Sequence, residues 1–316
     1  DHEAGQNHQA DTAFAAGDLL HANLPSTYRE NALYGDLTWN ATPAFALTGG
    51  LRIARNSQTF REQGGGALVG DADLDLPGRS SDTSKTYLAT AKYALTPVSN
   101  VYVRIASGYR PGGPNAVFPG TSVPATFKPD TLWSYEGGYK ADLLDKTLSL
   151  QAAVYDIRWN DVQQYTAVNG VNTIANGGKA QIDGLELSAT YRPAAALTFA
   201  GGLAWNDARL TQDAPGADQG EGLGRTGDPL PNNARFSANL AANFNFGLAG
   251  RAAYVGLSEH FVGNRNAGIN GSAALPSYHL PRYSLTDLQA GIDPDRIQLA
   301  FYVRNLFNKR AQRGAE

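Results

Sequence analysis

Cysteine is absent from all 316 residues, which excludes disulfides, thiolate metal centres and cysteine nucleophiles. Methionine is absent as well. The chain opens Asp1-His2-Glu3 without a basic, then apolar leader, so it reads as a processed chain or a piece of a longer one. No apolar run approaches the ~18 residues that a membrane-crossing helix needs. A formal charge of only −3 offers nothing to a polyanion, and no nucleic-acid partner is expected. No fixed repeat period is present, which argues against a propeller. His2, His8 and His21 lie in a polar segment, residues 1–27, without the spacing of a metal site. No Ser/His/Asp or paired-carboxylate signature is visible, so the chain is not expected to be an enzyme, nor to hold a cofactor or metal.

What the chain has is alternation. In Ile297 to Arg304, Ile297, Leu299, Phe301 and Val303 form one greasy face, against Gln298, Ala300, Tyr302 and Arg304. Phe236, Ala238, Leu240, Ala242 and Phe244 alternate with Ser237, Asn239, Ala241, Asn243 and Asn245. An Asn/Ser face cannot pack a dry core, but it can line a wet lumen. We count about twelve such runs of roughly ten residues, the length of a tilted strand crossing a bilayer. Short turns are expected at 40–43, 95–100, 143–146, 193–196, 247–250 and 293–295. Long Gly/Asp/Asn-rich loops are expected at 60–84, 108–130, 207–231 and 264–281. Within Leu148 to Trp159 the apolar parity slips near Val154 and Tyr155, as a β-bulge would cause. Short turns on one side and long loops on the other imply an all-β, antiparallel transmembrane β-barrel. Its turns would be periplasmic and its loops extracellular.

Five segments, in order, resemble the TonB-dependent outer-membrane receptors. They are Ser107-Gly108-Tyr109-Arg110-Pro111-Gly112-Gly113-Pro114-Asn115; Phe127-Lys128-Pro129-Asp130 with the strand to Ala141; and Asn176-Gly177-Gly178-Lys179-Ala180 followed by Gly184-Leu185-Glu186. The last two are Leu280-Pro281-Arg282-Tyr283 and Asn305-Leu306-Phe307-Asn308-Lys309. The resemblance covers most of the chain. It implies a partial receptor barrel over 28–316, with the family's N-terminal plug and last strand outside this sequence. Such a receptor sits in the outer membrane of a Gram-negative bacterium. It works with its plug and the TonB energy-coupling complex, and imports a scarce solute, by default a ferric siderophore. Vitamin B12, a glycan or another chelate is an alternative cargo; a passive porin is the competing class.

The alternation places Arg52, Lys92, Arg104, Glu136, Lys140 and Glu186 on the lumen side, as a ladder of paired charges on a wet wall, a contact with the plug or a guide for substrate. If the chain is a receptor, Tyr109, Arg110, Asn115 and Phe118 are the expected ligand contacts, because arginine and aromatic rings suit an anionic chelate. Pro111-Gly112-Gly113 shaping a turn, with Arg110 paired to a neighbouring strand, is the plainer reading. Asp71, Asp73 and Asp75 have the spacing of the first calcium-loop ligands, but Leu76 stands where glycine is needed. That run, and Asp207, Asp213, Asp218 and Glu221, read as solvated acids. His260 and His279 fit no haem box.

Overall fold

The structure, a computed structural model, describes residues 13–14, 17–18, 21–23, 25–65, 74–115, 124–168, 171–214, 224–269, 278–293 and 297–314. Its main sheet is an up-and-down meander of twelve strands: β1 (Ser26–Asn40), β2 (Phe45–Gly65), β3 (Leu74–Thr96), β4 (Ser99–Arg110), β5 (Asp130–Leu143), β6 (Leu148–Asn160), β7 (Lys179–Ala194), β8 (Leu197–Gln212), β9 (Phe236–Leu248), β10 (Arg251–Val262), β11 (Tyr283–Asp293) and β12 (Leu299–Val303). Each pairs antiparallel with its neighbours in sequence. Within the polar 1–27 segment, His21–Asn23 prolongs the edge by pairing with Gly65 to Gln63. Among the described residues β1 and β12 are not hydrogen-bonded to each other.

The tight connections follow local chemistry. Between β1 and β2, the Thr42 hydroxyl accepts from the Ala44 and Phe45 N–H groups at 3.2 and 3.0 Å. Ala249 and Gly250 join β9 to β10 with φ of 52° and 76°, the left-handed pair that matches strand twist in a two-residue hairpin. Leu144, Asp145 and Lys146 all have positive φ, and the Thr147 hydroxyl donates to the Leu144 carbonyl at 2.7 Å.

Two expectations are corrected. Residues 60–84 are not chiefly a loop: β2 and β3 run for 21 and 23 residues and stay paired from Phe45↔Tyr93 to Gly64↔Leu74. Nor does β6 carry a bulge, because its register with β5 and β7 is unbroken from Leu148 to Asn160. Both errors have one cause. On the outer face β6 reads Leu148, Leu150, Ala152, Val154 and then Asp156 and Arg158, while Tyr155, Ile157 and Trp159 face inward. The strand leaves the apolar band and continues into water, so greasiness changes sides while the backbone does not. Register shifts occur instead at Ala94/Thr96, Lys179/Ala180 and Tyr191/Ala194.

Period 2 then sorts the residues of every strand onto two faces. The outer face carries Leu33, Leu37, Leu51, Val103, Val154, Leu240, Leu257 and Phe301, all exposed. It is rimmed by Tyr93, Tyr139, Tyr191 and Phe244 toward the short turns, and by Tyr87, Trp133, Trp205 and Phe236 toward the long loops. Tyr87 and Trp133 stack with centroids 6.0 Å apart. An apolar band between aromatic girdles is what a lipid bilayer selects. The inner face is polar and less exposed; on β2, Ala54, Asn56 and Glu62 are buried between exposed Leu51, Ile53, Arg55 and Arg61. At the long-loop end this face is capped by a small apolar cluster of Val162, Ala180 and Leu210, packed by Trp159, Leu230 and Ile269.

Candidate functional site: the inner wall and its loop knot

Small residues and tyrosines build the inner wall together. Tyr102 faces Gly138 across β4 and β5, Tyr155 faces Gly184 across β6 and β7, and Tyr254 faces Gly291 across β10 and β11. A Cβ on any of these glycines would come within 2.1–2.4 Å of the tyrosine ring, so the glycine is the ring's seat. Seated this way, the Tyr102 hydroxyl donates to Glu136 and the Tyr155 hydroxyl to Asn206 and Glu186. The Lys140 ammonium lies 5.5 Å from the centroid of the Tyr102 ring. Glu136, Lys140, Gln151, Glu186, Asn239 and His260 border one cleft of about 360 Å³. The register puts Arg52, Lys92 and Arg104 on this face with Glu136, Lys140 and Glu186.

Higher on the wall, Glu30 of β1 gathers three groups. It accepts from Tyr28 and Tyr109 at 2.9 Å each and pairs with Arg52, whose guanidinium also donates to the Tyr109 hydroxyl at 3.4 Å. Tyr109 lies on β4, so this contact spans from β1 to β4 across the concave side. Tyr28 and Glu30 were not anticipated as site residues. The signal was available, since both share the parity of Tyr34 and Asp36 on a strand whose other face is Leu33, Leu37 and Trp39.

Arg110 and Asn115 do something else. Asp130, buried with 3% of its side chain exposed, accepts two hydrogen bonds from Arg110 and one from the Gln163 N–H at 3.2 Å. The Arg110 guanidinium also lies 5.5 Å from the Trp159 ring centroid. The Gln163 amide donates to the Pro111 carbonyl at 2.9 Å and to the Lys128 carbonyl at 3.1 Å. Asn115, 4% exposed, donates to the carbonyls of Pro124 and Ile174 and accepts from the Ile174 N–H at 3.1 Å. Asn176 completes the closure, accepting from Lys128 N–H at 2.6 Å and donating to the Lys128 and Asp161 carbonyls. The motif segments 107–115, 127–130 and 176–178 are thus one knot at the base of the outer loops. Phe118 lies outside the described residues.

The two glycines of that motif are there for close approach. A Cβ on Gly112 would stand 2.4 Å from the Phe127 carbonyl oxygen and 2.9 Å from Lys128 C and Pro129 N, all backbone. Gly112→Ala is therefore expected to cost about 1–3 kcal/mol through forced backbone displacement, and to speed proteolysis within 116–123. Gly49→Ala is the control, because nothing lies within 4 Å of its Cβ; equal protease resistance of the two variants would refute the packing argument.

Of the acids considered for calcium, Asp75 pairs with Arg61, and Asp207 with Arg209 and Arg235. The Thr226 hydroxyl and main-chain N–H, at 2.6 and 2.7 Å, hold the Asp213 carboxyl below its ordinary range. Asp71, Asp73, Asp218 and Glu221 lie outside the described residues. Among the described residues no group of three His, Cys, Asp or Glu side chains could hold a metal ion. His260 packs against the Tyr283 ring at 6.5 Å, and His279 bonds Asn266 at 3.2 Å.

This architecture has close counterparts among known proteins. The crystal structure of the ferric yersiniabactin uptake receptor FyuA from Yersinia pestis superposes with a TM-score of 0.80 at 25% identity, covering 96% of this chain and 44% of that one. The ferric-catecholate import receptor Fiu from Escherichia coli K12 shares the fold, with a TM-score of 0.73 at 22% identity over 93% of this chain and 42% of that one. In sequence, the pesticin receptor of Yersinia enterocolitica is 34% identical over 175 residues, 55% of this chain and 24% of its own length. The catecholate siderophore receptor Fiu of Escherichia coli O6:H1 is 27% identical over 297 residues, 88% of this chain and 37% of its own length. The chain thus spans less than half the length of each of these relatives. The family described as TonB dependent receptor-like, beta-barrel matches residues 4–306, and the chain belongs to that family.

Proposed function

We propose that the chain is part of the barrel wall of an outer-membrane receptor that imports a ferric siderophore by energy-coupled transport, with a plug domain and the TonB complex as partners. The observation that carries this is the inner wall itself. It is polar, carries both signs of charge and seated tyrosines, and lies beneath a knotted loop base, on a barrel whose relatives are named as receptors for siderophores. A wall of this kind offers many weak contacts to a large polar solute passing through. Tyr109 and Arg52, with Tyr28 and Glu30, form the best ligand-contact candidates, because their hydroxyl and guanidinium groups converge on the concave side above the cleft. Arg and aromatic rings together suit an anionic chelate with planar chelating groups. Arg110 and Asn115 then act on the ligand by fixing the loop base that presents Tyr109.

Growth and radiolabelled uptake on a panel of ferric chelates and cobalamin test this directly, using cells that express the protein from its full gene. Uptake of at least one chelate should require both the gene and the TonB complex. Arg52→Gln with Tyr109→Phe should weaken binding of that chelate by about tenfold, the scale of lost hydrogen bonds to charged groups, at unchanged protein abundance. Uptake that persists without the TonB complex would support the passive porin instead.

A further inference from the structure

The outer face of β1, β2 and β3 changes character abruptly above the apolar band. On β2 it reads Leu47, Gly49, Leu51 and Ile53, and then Arg55, Ser57, Thr59 and Arg61. The paired rows add Lys85 beside Ile53, Arg29 beside Ser57 and Arg79 beside Thr59. Arg29, Arg55, Arg79 and Lys85 are exposed, and among the described residues none has an ion-pair partner. Asp75 is the one acid that the register puts on this face of the three strands, and it is engaged by Arg61 through two hydrogen bonds at 2.5 and 2.8 Å. The acids Glu30, Glu62 and Asp82 sit on the inner parity.

The opposite flank, at the same level above the girdle, is arranged differently. There Arg158 pairs with Asp156, Arg209 with Asp183 and Asp207, and Arg235 with Asp207. One flank neutralises its cations internally; the other pairs Arg61 with Asp75 and leaves Arg29, Arg55, Arg79 and Lys85 bare, directly on top of a lipid-facing apolar surface. The rows from Lys85 to Arg79 span six residues, roughly 20 Å of strand, which begins at headgroup level and continues above it. Guanidinium forks bind phosphate oxygens two at a time, and cations beside a bilayer are drawn to anionic lipid.

We propose that this β1–β3 face is a docking surface for the phosphate-bearing glycolipid of the outer leaflet, with Arg55 and Lys85 at the phosphates and Arg29 and Arg79 in the saccharide layer above. Its acyl chains would lie on Leu33, Leu51 and Ile53, so the site continues the membrane interface. Free phosphate or a soluble polyanion would lack that apolar continuation.

The test compares three forms of the protein expressed from its full gene and extracted from outer membranes in mild detergent. They are the unaltered protein, Arg29→Gln/Arg55→Gln/Arg79→Gln/Lys85→Gln, and Arg158→Gln/Arg235→Gln. Co-purified glycolipid is measured as phosphate and hydroxylated fatty acid per protein. The fourfold variant should retain about tenfold less, and the twofold variant as much as the unaltered protein. Vesicles of the glycolipid should raise the melting temperature of the unaltered protein, whereas enzymatically dephosphorylated glycolipid should not. Equal retention by the fourfold and unaltered forms would overturn the proposal, as would equal stabilisation by the dephosphorylated lipid. All changes are on exposed side chains, and near-native heat-modifiable mobility of each variant on gels confirms that it folds.

Discussion

Val103→Arg is expected to destabilise the barrel in lipid vesicles by about 2–4 kcal/mol, the depth-dependent range for a cation at the bilayer midplane. Val103 is 59% exposed and stands on the outer face of β4, in a row with Ala91 and Gly137. Along its own strand Val101 and Ile105 flank it, and the rows of those two residues hold Tyr93 and Tyr139 on one side and Tyr135 on the other. No acid in that surround could pair with the new charge. Ser188→Arg is the matched control. It lies on the inner wall, beside a cleft bordered by Glu136 and Glu186, and should change stability by less than about 0.5 kcal/mol. Urea unfolding in vesicles, followed by tryptophan fluorescence, reads both. A Ser188→Arg penalty as large as that of Val103→Arg would invert the assignment of faces.

Asp130→Ala should be the most damaging single change in the loop knot. The carboxylate is buried and holds Arg110 and the Gln163 N–H together, so alanine leaves both donors without their acceptor. Breaking a fully buried ion pair costs about 3–5 kcal/mol. Arg110 is half-exposed, 49% of its side chain, and water can take it back, so about 2–3 kcal/mol is expected. Asp130→Asn keeps an acceptor for Gln163 and should cost roughly half as much. Protease added to intact cells should cut the 116–123 stretch fastest in Asp130→Ala, slower in Asp130→Asn and slowest in the unaltered protein. Identical cleavage rates in all three would mean that the pair does not hold the loop base.

Strand existence, order and the short turns at 40–43, 95–100, 143–146, 193–196 and 247–250 were legible because a bilayer imposes period 2 on nearly every residue within the band; the turn expected at 293–295 reaches into 294–296, outside the described residues. Strand ends were not. β2, β3 and β6 outlast their hydrophobic pattern, and at Arg55, Lys85 and Asp156 the outer face turns charged while hydrogen-bonded pairing continues. A reading of apolar parity therefore placed a loop where the strands had merely left the lipid, and a bulge where two faces exchanged their solvent. The knot was invisible for a different reason. Its partners Asn115 and Ile174 are 59 residues apart, and no local periodicity encodes a contact between loops. The motif glycines could be read only as turn formers, whereas Gly112 is there because the Phe127 and Lys128 backbone passes where a side chain would be.

That knot has a consequence for how the exterior can change. Every fastening in it, from Arg110 and Asp130 to Asn115, Gln163 and Asn176, belongs to the foot of a loop, where segments far apart in the chain meet. The foot is a socket and the tip is what it holds. An exchange confined to the tip, 116–123, keeps every named residue of the socket, so the loop's sequence can change while these fastenings keep their partners. A graft that moves the tip together with Asp130 alone, or Asn176 alone, carries away half a fastening and should fail to seat.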